Sequence, residues 1–266
     1  MKLNNETGKT LVKGNVLNAQ NQQVTKIEAL SELSNITRLD LTNNILRTSD
    51  SLQGLSVLSN LTWLNLSHNG LASFHLSSIL PKLQVLNISN NKLKELPDLS
   101  QFTNLKAVIA NNNEITKIPA QHLPLSINTL VLSHNQIELL PDLSACKNLV
   151  KLSLSHNLVK EFPRKLPEAL AELRMNGNKL VQTSSIPSKV NLLDLGNNEF
   201  TSLQDLQPLL GGNGSMKCLK NLSLKGNKLK GFEEKVLLEW FPRLALLDNK
   251  PFALQQGNKN NNKKQQ

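Results

Sequence analysis

The sequence predicts a right-handed α/β solenoid. A curved parallel sheet should line its concave side, and short 3₁₀, helical or extended segments its convex side. Three observations predict it. Segments of eleven residues, apolar at positions one, four, six and eleven and carrying Asn at position nine, recur nine times over residues 36–229. Their eleventh residues (Leu46, Leu71, Leu93, Ile115, Ile137, Val159, Leu180, Phe200 and Leu229) are separated by 25, 22, 22, 22, 22, 21, 20 and 29 residues. The chain is 39% hydrophobic but only 3% aromatic, with no Tyr, which suits stacked aliphatic side chains rather than an aromatic centre. Repeats of this length are single supersecondary units that bury a continuous core only by stacking.

The elements follow in chain order. Residues 1–24 form an N-terminal segment with a degenerate capping repeat at 14–24, where Leu17, Ala19 and Val24 fit the pattern but Gln22 replaces the Asn. Residues 25–230 form the solenoid. Each L-x-L core reads as a short strand whose alternate residues point inward and outward. The ninth-position asparagines (Asn44, Asn69, Asn91, Asn113, Asn135, Asn157, Asn178, Asn198 and Asn227) turn the chain out of each strand. Their amides can satisfy backbone groups of a buried turn. Leu99, Phe102 and Leu105, like Leu143, Cys146 and Leu149, have the three-residue spacing of a 3₁₀ or helical return. The units around Pro163, Pro167 and Pro187 should return in extended form. The insertion 211–216, GGNGSM, reads as a flexible loop. Residues 231–255 are expected to be a helical cap, with Phe232, Val236 and Trp240 at four-residue intervals on one helix face. Residues 256–266, QGNKNNNKKQQ, are expected to be disordered.

The nine segments, from ITRLDLTNNIL at 36–46 to LKNLSLKGNKL at 219–229, resemble the leucine-rich repeat family over residues 14–255. The 22-residue units resemble its short intracellular class, typified by a regulatory subunit of protein phosphatase 1. FEEKVLLEWFPRLALLDNKPF at 232–252 resembles the C-terminal cap of intracellular members such as the spliceosomal A-prime protein. This resemblance implies a solenoid that binds protein partners, with protein phosphatase 1 among the candidates.

Composition narrows the function. No run approaches the roughly 18 apolar residues of a membrane span, and MKLNNETGKT lacks a signal-peptide segment. Cys146 and Cys218 form no disulfide framework. We therefore expect an intracellular protein, cytoplasmic or nuclear, that is monomeric outside its complex and has no membrane association and no cofactor. The Asn-x-Ser triplets starting at Asn65 and Asn87 are then by-products of the repeat.

Residues with chemical potential do not assemble into a catalytic set. Gly8-Lys9-Thr10 lacks the glycine five residues earlier that a phosphate-cradling loop needs, since Leu3 stands there. His68, His134 and His156 precede the ladder Asn, and two of them are too few for a zinc site. Cys146 occupies a core position, and Asp40 and Asp194 lie too far apart along the solenoid to act as a pair. An enzyme is not expected.

The concave face is the candidate site. Third and fifth positions point outward, and they place Trp63, Val85 and Ala107 in one row beside Ile109 and Val131 in the next. Arg38 and Asp40 flank this cluster on one side and Lys151 on the other. A contiguous apolar patch around a Trp reads as a protein-docking site. Trp63 could instead pack over Val85 and Arg38 as a lid on the first strands. Charge offers a different reading. Residues 134–266 carry 19 basic and 12 acidic groups, against 11 and 8 in residues 1–133. Lys217, Lys220, Lys225 and Lys228 crowd the last repeat, a patch suited to RNA or an acidic partner in a ribonucleoprotein or ribosome-biogenesis role.

Overall fold

The computed structural model describes residues 1–252 except 29, 77, 164, 214–215 and 232–233. The expected disordered tail, 256–266, lies outside the described residues. Nine strands recur in the L-x-L cores: β5 (Arg38–Asp40), β6 (Trp63–Asn65), β7 (Val85–Asn87), β8 (Ala107–Ile109), β9 (Thr129–Val131), β10 (Lys151–Ser153), β11 (Glu172–Arg174), β12 (Leu192–Asp194) and β13 (Asn221–Ser223). Before them come β1 (Lys2–Leu3), α1 (Asn5–Leu11), β2 (Val12–Lys13), β3 (Val16–Asn18) and β4 (Lys26–Ile27). After them come α2 (Glu234–Trp240), β14 (Leu246–Leu247) and β15 (Lys250–Pro251). Among the described residues, β2, β3 and β5 to β15 make one sheet, parallel from β3 to β14 and antiparallel at both ends.

The ladder asparagines explain why strands of only three residues hold their register. Asn113 donates from Nδ2 to the carbonyls of Ile88 (3.0 Å) and Ala110 (3.1 Å), and its Oδ1 accepts from the Leu93 N–H (3.1 Å). Asn135 does the same one repeat on, reaching Ala110, Leu132 and the N–H of Ile115 at 3.0 Å each. Each amide thus ties its own turn to the preceding repeat. From Asn44 to Asn198 these residues are buried, and only the last, Asn227, is partly exposed. No buried side-chain nitrogen or oxygen among the described residues lacks a partner. The degenerate first repeat obeys the same rule: the N–H groups of Gln22 and Val24 both donate to Asn44 Oδ1.

The convex segments vary with repeat length. The 22-residue units return through pairs of consecutive turns, Phe102 N–H to Leu99 and Leu105 N–H to Phe102, with the same pattern at Leu143, Cys146 and Leu149. These bonds close every third residue, so one apolar side chain enters the core per turn. Continuous 3₁₀ runs occur where the unit is longer, at Ser49–Val57 and Leu203–Asn213. The second run takes in 211–213 of the stretch expected to be a flexible loop, of which 214–215 lie outside the described residues. Leu206 and Leu209 within the run, and Met216 beyond it, are buried. Around Pro163 and Pro187 the described residues belong to no helix or strand.

Both ends are covered. At the N-terminus, α1 is capped by Asn4, which exchanges hydrogen bonds with Thr7 as a capping box. Gly8 lies against Leu33, where a Cβ would come within 2.5 Å of Leu33 Cδ1. Gly8-Lys9-Thr10 therefore lies in a helix that packs its Gly8 side and exposes Lys9 and Thr10. At the C-terminus the buried face of α2 is Leu237 and the following Phe241, one position on from the expected Val236–Trp240 face, and Phe232 lies outside the described residues. Trp240 is half-buried and meets Phe241 edge-on. Asp248 ends the ladder: its Oδ1 accepts the N–H groups of Leu224 (2.7 Å) and Lys225 (2.8 Å).

Two substitutions test this packing. Asn135→Ala should cost about 1–3 kcal/mol by stranding buried backbone groups of two repeats; a denaturation midpoint equal to the parent's would remove the ladder from the account of stability. Gly54→Ala should also destabilise, by about 1–3 kcal/mol, because a Cβ there would sit 2.0 Å from the Glu28 carbonyl oxygen.

Candidate functional site

The register places the concave residues in two rows. Arg38, Trp63, Val85, Ala107, Thr129, Lys151, Glu172, Leu192 and Asn221 stand opposite one another along the first. Asp40, Asn65, Asn87, Ile109, Val131, Ser153, Arg174, Asp194 and Ser223 form the second. Trp63, Val85 and Ala107 are thus direct cross-strand neighbours, and so are Ile109 and Val131. All five are half-buried rather than fully exposed, because each covers the next across the sheet. They form a diagonal apolar stripe over β6 to β9.

The two ends of the stripe differ electrostatically. The Arg38 guanidinium lies 4.8 Å from the centre of the Trp63 ring, a cation–π contact. It is exposed, and among the described residues no carboxylate lies within ion-pair distance of it. Asp40, two residues on, makes no direct ion pair with it. That carboxylate accepts from the Thr42 N–H (3.0 Å) and hydroxyl (2.6 Å) and from Gln20 Nε2 (2.7 Å). Beyond the other end, Lys151 pairs with Glu172 at 3.0 Å, and Arg174 Nε donates to the same carboxylate oxygen. Partial burial disfavours the charge on Glu172, but the hydrogen bonds from Arg174 and Lys151 outweigh it and hold its carboxyl below the ordinary 4.5.

The rim beside the ladder has a backbone cause. Position eight is left-handed in every repeat: Asn43, His68, Asn90, Asn112, His134, His156, Gly177, Asn197 and Gly226 all have positive φ. Asn, His and Gly are the residues that tolerate this region best. His134 and His156 stack with centroids 4.3 Å apart and planes 12° from parallel. Gly177 continues that column, where a Cβ would approach His156 Nδ1 to 2.6 Å. No group of three or more His, Cys, Asp or Glu among the described residues is placed to hold a metal. Cys146 is buried and Cys218 partly so, both as free thiols, and burial pushes the Cys146 thiol up.

Lys220 immediately precedes β13 and Lys225 lies in the turn that follows it. Lys217 lies on the turn leading into β13, and Lys228 faces Glu199 at 3.8 Å. A hollow of about 740 Å³ on a different surface is lined by Ile118, Pro119, Leu139, Leu140 and Pro141, with Leu139 66% exposed. Apolar exposure is therefore not confined to the concave sheet. A hint of this flank exists in the sequence, where Pro97, Pro119, Pro141 and Pro163 recur every 22 residues.

Parallel three-residue strands, an asparagine ladder and a continuous aliphatic core define a leucine-rich repeat solenoid. Comparison with known proteins agrees: residues 59–101 and 81–125 match the family model for leucine-rich repeats in two copies. No curated protein matches the chain. Among solved structures the fold is similar to YopM from Yersinia enterocolitica, at 24% identity and TM-score 0.68, covering 92% of this chain and 48% of that one. This chain therefore spans about half the length of that protein. It is similar also to a leucine-rich repeat protein of Leptospira interrogans, at 23% identity and TM-score 0.57, covering 92% of this chain and 74% of the other. The leucine-rich effector YopM of Yersinia pestis matches at 22% identity and TM-score 0.63, over 92% and 75% of the two chains.

The Glu172 cluster gives a pH prediction. Its carboxyl is held low in the folded state, so its stabilisation is present above the unfolded value and lost as pH falls through the folded one. The stability difference between the parent and Glu172→Gln should be constant above about pH 5 and shrink below 4.5. Equal differences at pH 3 and pH 7, measured by urea unfolding, would contradict the assignment.

Proposed function

We propose that the chain is a non-catalytic interaction scaffold or regulatory subunit, and that a protein partner docks on its concave sheet across β5 to β10. The observation that carries this reading is the unbroken stripe of Trp63, Val85, Ala107, Ile109 and Val131 with Arg38 stacked at its end. Apolar side chains gathered on an open sheet add little to the ladder core. Desolvating them against a partner is favourable, at about 25 cal/mol per Å². Repeat length supports protein phosphatase 1 as the first partner to test, in an intracellular setting.

An excess of positive charge supports a second reading, in which RNA or an acidic partner binds around Lys217, Lys220, Lys225 and Lys228. The net charge of +10 favours polyanions.

Trp63→Ala should shift stability by about 1 kcal/mol or less while costing about 2 kcal/mol or more in partner binding. Val131→Asp should weaken the same complex from the far end of the stripe. A Trp63→Ala protein that melts early yet binds undiminished would make Trp63 a lid on the first strands and refute the concave site. For the charge reading, Lys220→Glu with Lys225→Glu should lower RNA affinity and flatten its dependence on salt. Unchanged binding between roughly 50 and 200 mM salt would remove those lysines from consideration.

A further inference from the structure

We infer that the element received by the concave stripe is an amphipathic α-helix carrying a carboxylate side chain at the end that meets Arg38. The inference rests on the docking reading above and adds the shape and charge of the partner. Its first support is spacing. The stripe crosses three strand-to-strand steps of about 4.8 Å, from β6 to β9, and shifts by two residues along β8, about 6.7 Å, where Ala107 hands over to Ile109. The diagonal from Trp63 to Val131 is therefore about 16 Å, the length of three helical turns of 5.4 Å. A helix laid along it brings an apolar residue to the stripe at every turn, the i, i+3 or i+4, i+7 pattern of helix-in-groove recognition. An extended segment offers same-face residues only every 6.7 Å or so, out of step with rows about 4.8 Å apart.

Charge supplies the second support and sets the polarity. Arg38 is the cation at the Trp63 end, exposed and unpaired among the described residues, with the Asp40 carboxylate held by Thr42 and Gln20. At the Val131 end the neighbouring strand presents Ser153, which is buried, and Lys151, which is already paired with Glu172. Arg38 therefore calls for an anion, whereas at the other end the cation nearest the stripe, Lys151, already meets Glu172, whose oxygen it shares with Arg174. A guanidinium fixed over an indole presents its N–H groups to a carboxylate in a fork geometry, while the ring takes the adjoining apolar residue.

Selection from a phage library of random 16-residue peptides, using the full chain as bait, tests this. Enriched peptides should place apolar residues three or four apart over three turns, with Asp or Glu beside the first, and should gain helical circular dichroism when bound. Trp63→Ala should weaken them about tenfold. Arg38→Glu should weaken them severalfold, and exchanging the peptide's acid for Lys should restore binding to that variant but not to the parent. Trp63-dependent peptides with alternate-residue spacing or basic ends would overturn the helix and leave the concave docking face standing. Peptides indifferent to Trp63→Ala would overturn the docking face as well. A selection with no enrichment would also count against the helix, since such a library contains helical amphipathic sequences.

Discussion

Every strand in this solenoid is too short to be stable alone, so the fold depends on how each turn is tied to the next repeat. One interaction does this: the buried amide of the ninth-position asparagine. Two of its donors meet carbonyls of its own turn and the previous one, and its oxygen takes an N–H of the previous repeat. Asparagine is suited because a single side chain offers two donors and an acceptor at fixed geometry. Without it, the turn would bury backbone groups with no partner, at a cost of about 1–3 kcal/mol for each. The apolar ladder supplies the driving force, and the amides fix the register that lets the ladder close.

The binding face follows from that register. Identical ladder bonds in successive repeats bring third positions opposite third positions and fifth opposite fifth, so residues 22 apart in sequence become neighbours on one surface. The same bonds hold the chain in a left-handed conformation at position eight, where side-chain choice narrows to Asn, His and Gly. The stacked His134 and His156 are a consequence of two adjacent repeats making the same choice. Their proximity reflects backbone geometry rather than a metal site.

At the ends, where no neighbour supplies the next amide, other groups take over. The α1 helix and its capping box close the first repeat, and the Asp248 carboxylate accepts the last free N–H groups. A carboxylate serves there because the position needs acceptors only, whereas ladder positions need donors and an acceptor together.

Repeat number, strand positions, the buried asparagines and the two concave rows were all legible in the sequence, because each depends on a spacing that recurs identically along the chain. The degenerate first repeat was legible for the same reason, through Leu17, Ala19 and Val24. Where the period breaks, sequence reasoning lost its footing. The 3₁₀ run Leu203–Asn213 extends into the loop-like GGNGSM composition, with Leu206 and Leu209 buried in the core. The buried α2 face lies one residue on from the Val236–Trp240 spacing, because Val236 and Leu237 are equally apolar and only packing in the fold selects Leu237. Gly54 carries no local signal, since its role is set by the Glu28 carbonyl that the stack brings against it. The sequence by itself thus determined the solenoid and which residues face outward. Tertiary structure alone decided that Arg38 stacks on Trp63 without an ion-pair partner among the described residues while Lys151 and Arg174 share Glu172. Periodicity assigns residues to faces, but the pairing of charges depends on side-chain reach between repeats, which no one-dimensional spacing encodes.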